Sequence, residues 1–200
     1  VSITPTILDP NYSYLELDVI FKYNPNLTDR TGPDLKSLIQ DTLDDYSLNN
    51  LNKFDGLFRH SVLTKAIDSA DPAILNSTVR PYLFQKITPT ANTLNNETLS
   101  FPGVIYTPSG ATESCITSTG FKVGTETYYF NDKVIINSTD RQIFAYRLVG
   151  DTKVTTIDNC GTVTPSTGIV ILNNFTPADA TVIRITVTPN SLDRDDAAFI

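Results

Sequence analysis

Between residues 12 and 87 the spacing of apolar positions changes period twice, and the changes predict strand, helix, helix, strand. Over residues 12–23, Leu15, Leu17, Val19, Phe21 and Tyr23 alternate with Tyr14, Glu16, Asp18 and Lys22, interrupted only by Ile20. A period of two with one polar face predicts a half-buried strand. From Asp34 onward Leu35, Leu38, Ile39, Thr42, Leu43 and Tyr46 recur at steps of three and four, a stripe along one side of a helix, with Asp41, Asp44 and Asp45 facing away. Thr31, Pro33 and Asp34 mark its start: a hydroxyl cap, a proline whose missing N–H has no partner in a first turn, and a carboxylate that reaches back to the cap amide. Val62, Leu63, Ala66, Ile67 and Ala70 share a face of a second helix, which stops before Pro72 because the residue preceding a proline is pushed out of the α region. Alternation then returns, with Val79, Leu83 and Ile87 inward and Arg80, Tyr82, Phe84 and Lys86 outward. Pro81 lacks a ladder donor, so this strand is expected at an edge or with a bulge.

The connections follow from turn chemistry. Asn24, Pro25 and Asn26 form a turn; Asn49 and Asn50 end the first helix, residues 49–56 form a loop, and Asp55 with Gly56 turns the chain. Residues 1–10, with Pro5 and Pro10, read as an extended arm. Two strands are too narrow a sheet to stand alone. Completion is expected from the arm, from sequence before Val1 or from the edge of another subunit, and self-association is the consequence.

Beyond Leu99 no helical stripe occurs, and β-branched residues alternate with turn signals instead. Strands are expected over residues 101–106, 113–117, 127–130, 133–136, 142–149, 152–158, 168–172 and 181–188. Gly150 and Asp151 separate two of them as a two-residue hairpin loop with glycine first, which suits a turn with positive φ. Short strands at this spacing predict a sandwich or barrel. The expected class is therefore α+β: a strand-helix-helix-strand domain over residues 1–95, then an all-β, sandwich-like or barrel-like domain over residues 96–200, with residues 90–98 as the junction.

Three stretches, YLELDVIFKYNPN from Tyr14, GPDLKSLIQDTLDDY from Gly32 and FDGLFRHSVLTKAIDSADPAIL from Phe54, resemble the inner-ring baseplate wedge protein of contractile-tailed, T-even-type phages. They are also similar to the broader baseplate J-like family. The likeness extends over roughly residues 1–100 and to TVIRITVTPNSLD from Thr181. It implies a structural, non-enzymatic subunit of the virion tail baseplate, assembled in the host cytoplasm, a homodimer within a ring that contacts other wedge and tail proteins. Subunits of that kind are longer than 200 residues and this chain contains no methionine, so it is expected to be part of a longer one.

Composition narrows the remaining options. A net charge of -7 with 18% charged residues gives no basic footprint for nucleic acid. No apolar run approaches the roughly 20 residues of a bilayer span. Cys115 and Cys160 are expected as free, largely buried thiols, because a secreted scaffold would be denser in cysteine. Six Asn-x-Ser/Thr sites are an accident of a chain rich in Asn and Thr.

No catalytic, cofactor or metal site is expected. His60 is the single histidine and no Gly-x-Ser-x-Gly elbow accompanies it, so a helix-start residue making a hydrogen bond is favoured over a catalytic base. One His and two isolated Cys offer no zinc spacing. Glu16 and Asp18 lie on one strand face, about 6–7 Å apart by strand rise, and a hydrolytic pair is conceivable; a solvated face or ion pairing with Lys22 is favoured. Asp193 to Asp196 lack the glycine and distal glutamate of an EF-hand and read as a charged tail. Gly103, Gly110, Gly120 and Gly124 are spaced for turns rather than for a phosphate cradle. Tyr128, Tyr129 and Phe130 put aromatics on both faces of a strand, by burial or at an interface. They leave a second function class open, a carbohydrate-binding or adhesin module on a virion surface.

Overall fold

The computed structural model describes residues 12–53, 56, 58–110 and 113–190. The arm over residues 1–10, Asp55 of the expected turn and the acidic run from Asp193 lie outside them. Strand β1 (Tyr14–Tyr23) leads through a 3-10 turn (Pro25–Leu27) into helix α1 (Gly32–Tyr46), then α2 (His60–Asp68) and strand β2 (Ile74–Ile87). Eight further strands follow: β3 (Asn95–Ser100), β4 (Ile116–Ser118), β5 (Phe121–Val123), β6 (Glu126–Val134), β7 (Arg141–Val149), β8 (Thr152–Thr164), β9 (Ile169–Phe175) and β10 (Ile183–Val187). The class is mixed α+β with a β-rich majority.

The start of α1 forms as its residues dictate. Thr31 accepts from the Asp34 N–H while the Asp34 carboxylate accepts from the Thr31 N–H at 2.9 Å, a reciprocal box with Pro33 in the first turn. Those bonds hold the Asp34 carboxyl below its ordinary value. At the other end the helix does not stop at Asn49. A π-helical turn continues it over Ser47–Leu51, and Asn49 and Asn50 donate their side-chain amides back to the Asp45 and Tyr46 carbonyls. The link to α2 is pinned by Tyr46, whose hydroxyl accepts from the Arg59 N–H at 2.8 Å and whose ring meets buried Phe58 edge-on.

The strands form two sheets, ordered β1-β2-β10-β4 and β3-β9-β8-β7-β6-β5. Completion of the narrow sheet is thus intramolecular: β10 pairs with β2 from Ile183↔Ile87 to Val187↔Leu83, and β4 pairs with β10. The added strands come from later in the same chain, rather than from the arm, from sequence before Val1 or from the edge of another subunit, the three sources expected. It also makes β2 an interior strand rather than an edge, and the register shift lies at Lys22/Tyr23, not at Pro81. Pro81 is tolerated because β10 stops pairing at Leu83, two residues short of it. At Val79 the carbonyl receives His60 Nε2 at 3.0 Å. Backbone directions alternate along a strand, so the Pro81 nitrogen shares that open side and no ladder bond is lost.

One face of the narrow sheet carries two cores. Val79 and Ile74 of β2, with Leu17, Val19 and Phe21 of β1, pack on Ile39, Tyr46, Phe58, Leu63 and Ile67 of the helical layer. Farther along the same face, Leu83, Ile87, Ile183, Ile185 and Val187 meet Phe121, Phe130, Ile143, Val163, Val170, Leu172 and Phe175 of the six-stranded sheet. Leu15 touches both cores. The division anticipated between residues 95 and 96 falls one residue into β3, and β4 and β10 from beyond it lie in the first sheet with β1 and β2.

Several strand boundaries differ from expectation. Residues 101–106 are not a strand; Pro102 and a positive φ of 72° at Gly103 break any ladder there, and Ile105 makes an isolated bridge to Pro189. Residues 127–130 and 133–136 were expected as two strands; β6 runs through Asn131 and Asp132 as one and ends at Val134. β3 occupies the second half of the expected junction, and β5 was not anticipated. The hairpin at Gly150 forms, with Val149 opposite Thr152 and φ 60° at Gly150.

Candidate functional site

The outer face of the narrow sheet assembles the charged residues that the sequence singled out. Even-numbered residues of β1 point to it: Tyr14, Glu16, Asp18, Ile20 and Lys22 are all exposed. β10 brings Arg184 across β2, and its guanidinium pairs with the Glu16 carboxylate while lying 3.8 Å from the centre of the Phe84 ring. Phe84 stacks on Tyr14 at 5.0 Å, and Lys86 Nζ sits 4.9 Å from the Tyr14 ring. Cations placed over aromatic faces gain from the ring quadrupole. The result is a ladder of alternating charge and aromatic surface across three strands.

Beside it lies a concavity of about 580 Å³, bordered by Glu16, Asp18, Tyr82, Cys115, Arg184 and Thr186. An aromatic-flanked hollow next to the two carboxylates was not signalled by the sequence. It lies where β10 stops pairing with β2, at Val187↔Leu83, a long-range feature with no local period. The partner of Glu16 is Arg184 rather than Lys22, so the carboxylate that a hydrolytic pair would need is already engaged.

Other singled-out residues are placed elsewhere. His60 begins α2 and bonds to the backbone of β2, some distance in sequence from either carboxylate. Tyr128 and Phe130 are buried in the core between the sheets, whereas Tyr129 turns outward and stacks on Tyr146 at 5.6 Å. Two-sided use of the aromatic run is therefore realised within one chain. Cys115 and Cys160 are free and buried, and burial, the largest cause in each case, pushes both thiols up to about 11. Among the described residues no three His, Cys, Asp or Glu side chains converge where an ion could sit. No helix among them is long and apolar enough to cross a membrane.

One polar cluster escaped the sequence reading. Asp132 and Arg141 are buried and paired; Asp132 also accepts the Ile116 N–H at 2.9 Å, and Arg141 donates to the Glu113 carbonyl. The cluster joins β6 and β7 to the segment that starts β4, tying one sheet to the other. Its signal was parity: Asp132 shares the inward register of Tyr128 and Phe130, and an inward carboxylate requires a partner.

No curated protein matches the chain. Residues 11–86 match the family model of baseplate structural protein gp6, C-terminal domain III. The matched segment is less than half of the 200 residues and takes in β1, α1, α2 and nearly all of β2. The unit that its periodicity marks out and the face of exposed charge and aromatic rings on β1 thus fall within a match that supports a phage baseplate protein family for this chain.

Proposed function

We propose that the chain is a structural subunit of a contractile phage tail baseplate, contributing to the inner ring or wedge through contacts with its own copies and with other baseplate proteins. The carrying observation is the match over residues 11–86, whose limits coincide with a packed strand-helix-helix-strand unit. The state of the candidate chemical groups agrees: Glu16 is ion-paired, and His60 is bonded to the backbone. On this reading residues 1–95 form the baseplate-type unit and residues 96–200 a β-rich module, working in the virion tail after assembly in the host cytoplasm. Cryo-electron microscopy of purified tails is the test. Density for this fold in the baseplate is expected. Tails that lack the chain, or an enzymatic activity abolished by Glu16→Gln in a folded protein, would overturn the proposal.

A further inference from the structure

Sheets end in edges, and the outer strands of this fold treat theirs differently. β4 and β5 are three residues each, and β3 carries a register shift between Asn95 and Glu97. The part of β2 that β10 does not reach is closed by Pro81 and by His60 on the Val79 carbonyl. Short length, irregularity, proline and capping are how edges avoid pairing with other chains. β1 has none of these along most of its length. It runs ten residues without proline, in unbroken register with β2 from Tyr14 to Lys22, and among the described residues its other edge pairs with nothing. The flanking segments are held on the β2 side. Gln85 donates to Ser13 Oγ at 2.6 Å before the strand, and after it the Asn24 N–H donates to the Ala73 carbonyl at 2.9 Å.

Backbone directions on that edge follow from His60. Because it takes the Val79 carbonyl, odd residues of β2 face away from β1, and the even residues Thr78, Arg80 and Tyr82 bond to their opposites Ile20, Asp18 and Glu16. The odd residues of β1, including Leu17, Val19 and Phe21, therefore direct their N–H and C=O groups outward.

We propose that a second copy of this chain adds its β1 to this edge, antiparallel about a two-fold axis at Ile20, with Asp18 against the partner's Lys22 on both sides of the axis. The inference deepens the assembly reading above by naming one contact within it. A two-fold axis sets even positions opposite even, which leaves few centres. Centring on Leu17 opposes Glu16 to Asp18, and centring on Asp18 opposes that residue to itself; both are repulsive. Centring on Val19 directs Lys22 to Glu16, which Arg184 already holds. Centring on Ile20 instead matches Asp18 with Lys22, neither of which has an ion-pair partner among the described residues, and covers Ile20, 53% exposed, with its own copy. These pairs fall at non-hydrogen-bonded positions, where opposite Cα atoms approach to about 4.5 Å and side chains are closest. The ladder bonds come from Val19 with the partner's Phe21 and the reverse.

Sedimentation velocity of the full chain over micromolar concentrations tests this. A dimer is expected for the unaltered protein. Asp18→Lys and Lys22→Asp should each shift it to monomer, raising the dimer Kd by about a hundredfold or more as two opposite-charge pairs become two like-charge pairs. An equimolar mixture of the two variants should recover the dimer, because each supplies the charge that the other lacks. Asp18 also faces Arg80 across β1 and β2, so thermal melting of each variant separates misfolding from dissociation. An unaltered chain that stays monomeric overturns the inference. A dimer that survives both reversals overturns it too, while leaving the assembly reading intact. Variants that dissociate without rescue in the mixture would overturn the pairing of Asp18 with the partner's Lys22, and with it the axis at Ile20.

Discussion

Replacing Asp132 with Asn keeps the shape of a fully buried side chain and removes its charge. The Asp132 side chain is 0% and the Arg141 side chain 3% exposed. The Ile116 N–H can still find an oxygen in the variant, but the guanidinium loses its counter-charge in a place without water. Removing one member of a buried pair typically costs about 3–5 kcal/mol, whereas replacing both by apolar groups of similar volume is often close to neutral. For a chain of this size that single loss corresponds to a fall in melting temperature of about 6–20 °C. Urea unfolding of Asp132→Leu, Arg141→Met and Asp132→Leu/Arg141→Met, measured beside Asp132→Asn, closes a double-mutant cycle. The double variant should recover most of the loss. A single variant costing under about 1 kcal/mol, or a double variant no better than the singles, would refute the reasoning that this pair holds the two sheets together.

Other outcomes follow from particular positions. Gly161→Ala should cost more than about 2 kcal/mol in the same assay, since φ is 137° and a Cβ would lie 1.9 Å from the Ile171 carbonyl oxygen. Ile67→Ala should cost about 2–5 kcal/mol as a fully buried truncation, and Leu38→Ala less, because Leu38 is only half-buried; equal losses would place the helix stripe wrongly. Both thiols sit well above their ordinary value of 9, so the native state holds protons that the unfolded chain releases. Stability should therefore decline as pH rises from about 9 toward about 11. Iodoacetamide at neutral pH should label Cys115 and Cys160 only in denaturant, and rapid native labelling would contradict their burial.

The parts of the fold that were legible in the sequence are those with a local cause. α1 was readable from its stripe and from Thr31 and Asp34, and β1 from an alternation that only Ile20 interrupts. The hairpin at Gly150 was readable because its turn needs positive φ. The errors share a different origin. Residues 101–106 look like a strand because Phe101 and Ile105 are apolar and buried, yet their N–H groups go to Gly168 and Pro165 rather than to a ladder. β3 was missed because Asn95, Asn96 and Glu97 have poor strand propensity, and its pairing with β9 decides the matter instead. The break expected at Asn131 and Asp132 does not occur because Arg141, nine residues on, makes a buried carboxylate tolerable. Of the candidate site, the exposed face of β1 was foreseen, but Arg184 as partner of Glu16 and the hollow beside Asp18 depend on β10 crossing to β2, which no local pattern encodes.

That crossing has a consequence for how the chain is born. β2 pairs with β10 from Ile87↔Ile183, almost a hundred residues later. At a synthesis rate of about 5–20 residues per second, β2 waits between about 5 and 20 s for its neighbour. Through that interval the helical layer can close over β1 and the first half of β2, where its contacts are local in sequence. The far half, with Leu83 and Ile87, stays uncovered until β10 arrives. Contacts so distant in sequence slow folding because loop closure precedes any gain from pairing. The segment that carries the family match is therefore made well before it can be finished, and β10 is the latch that completes it.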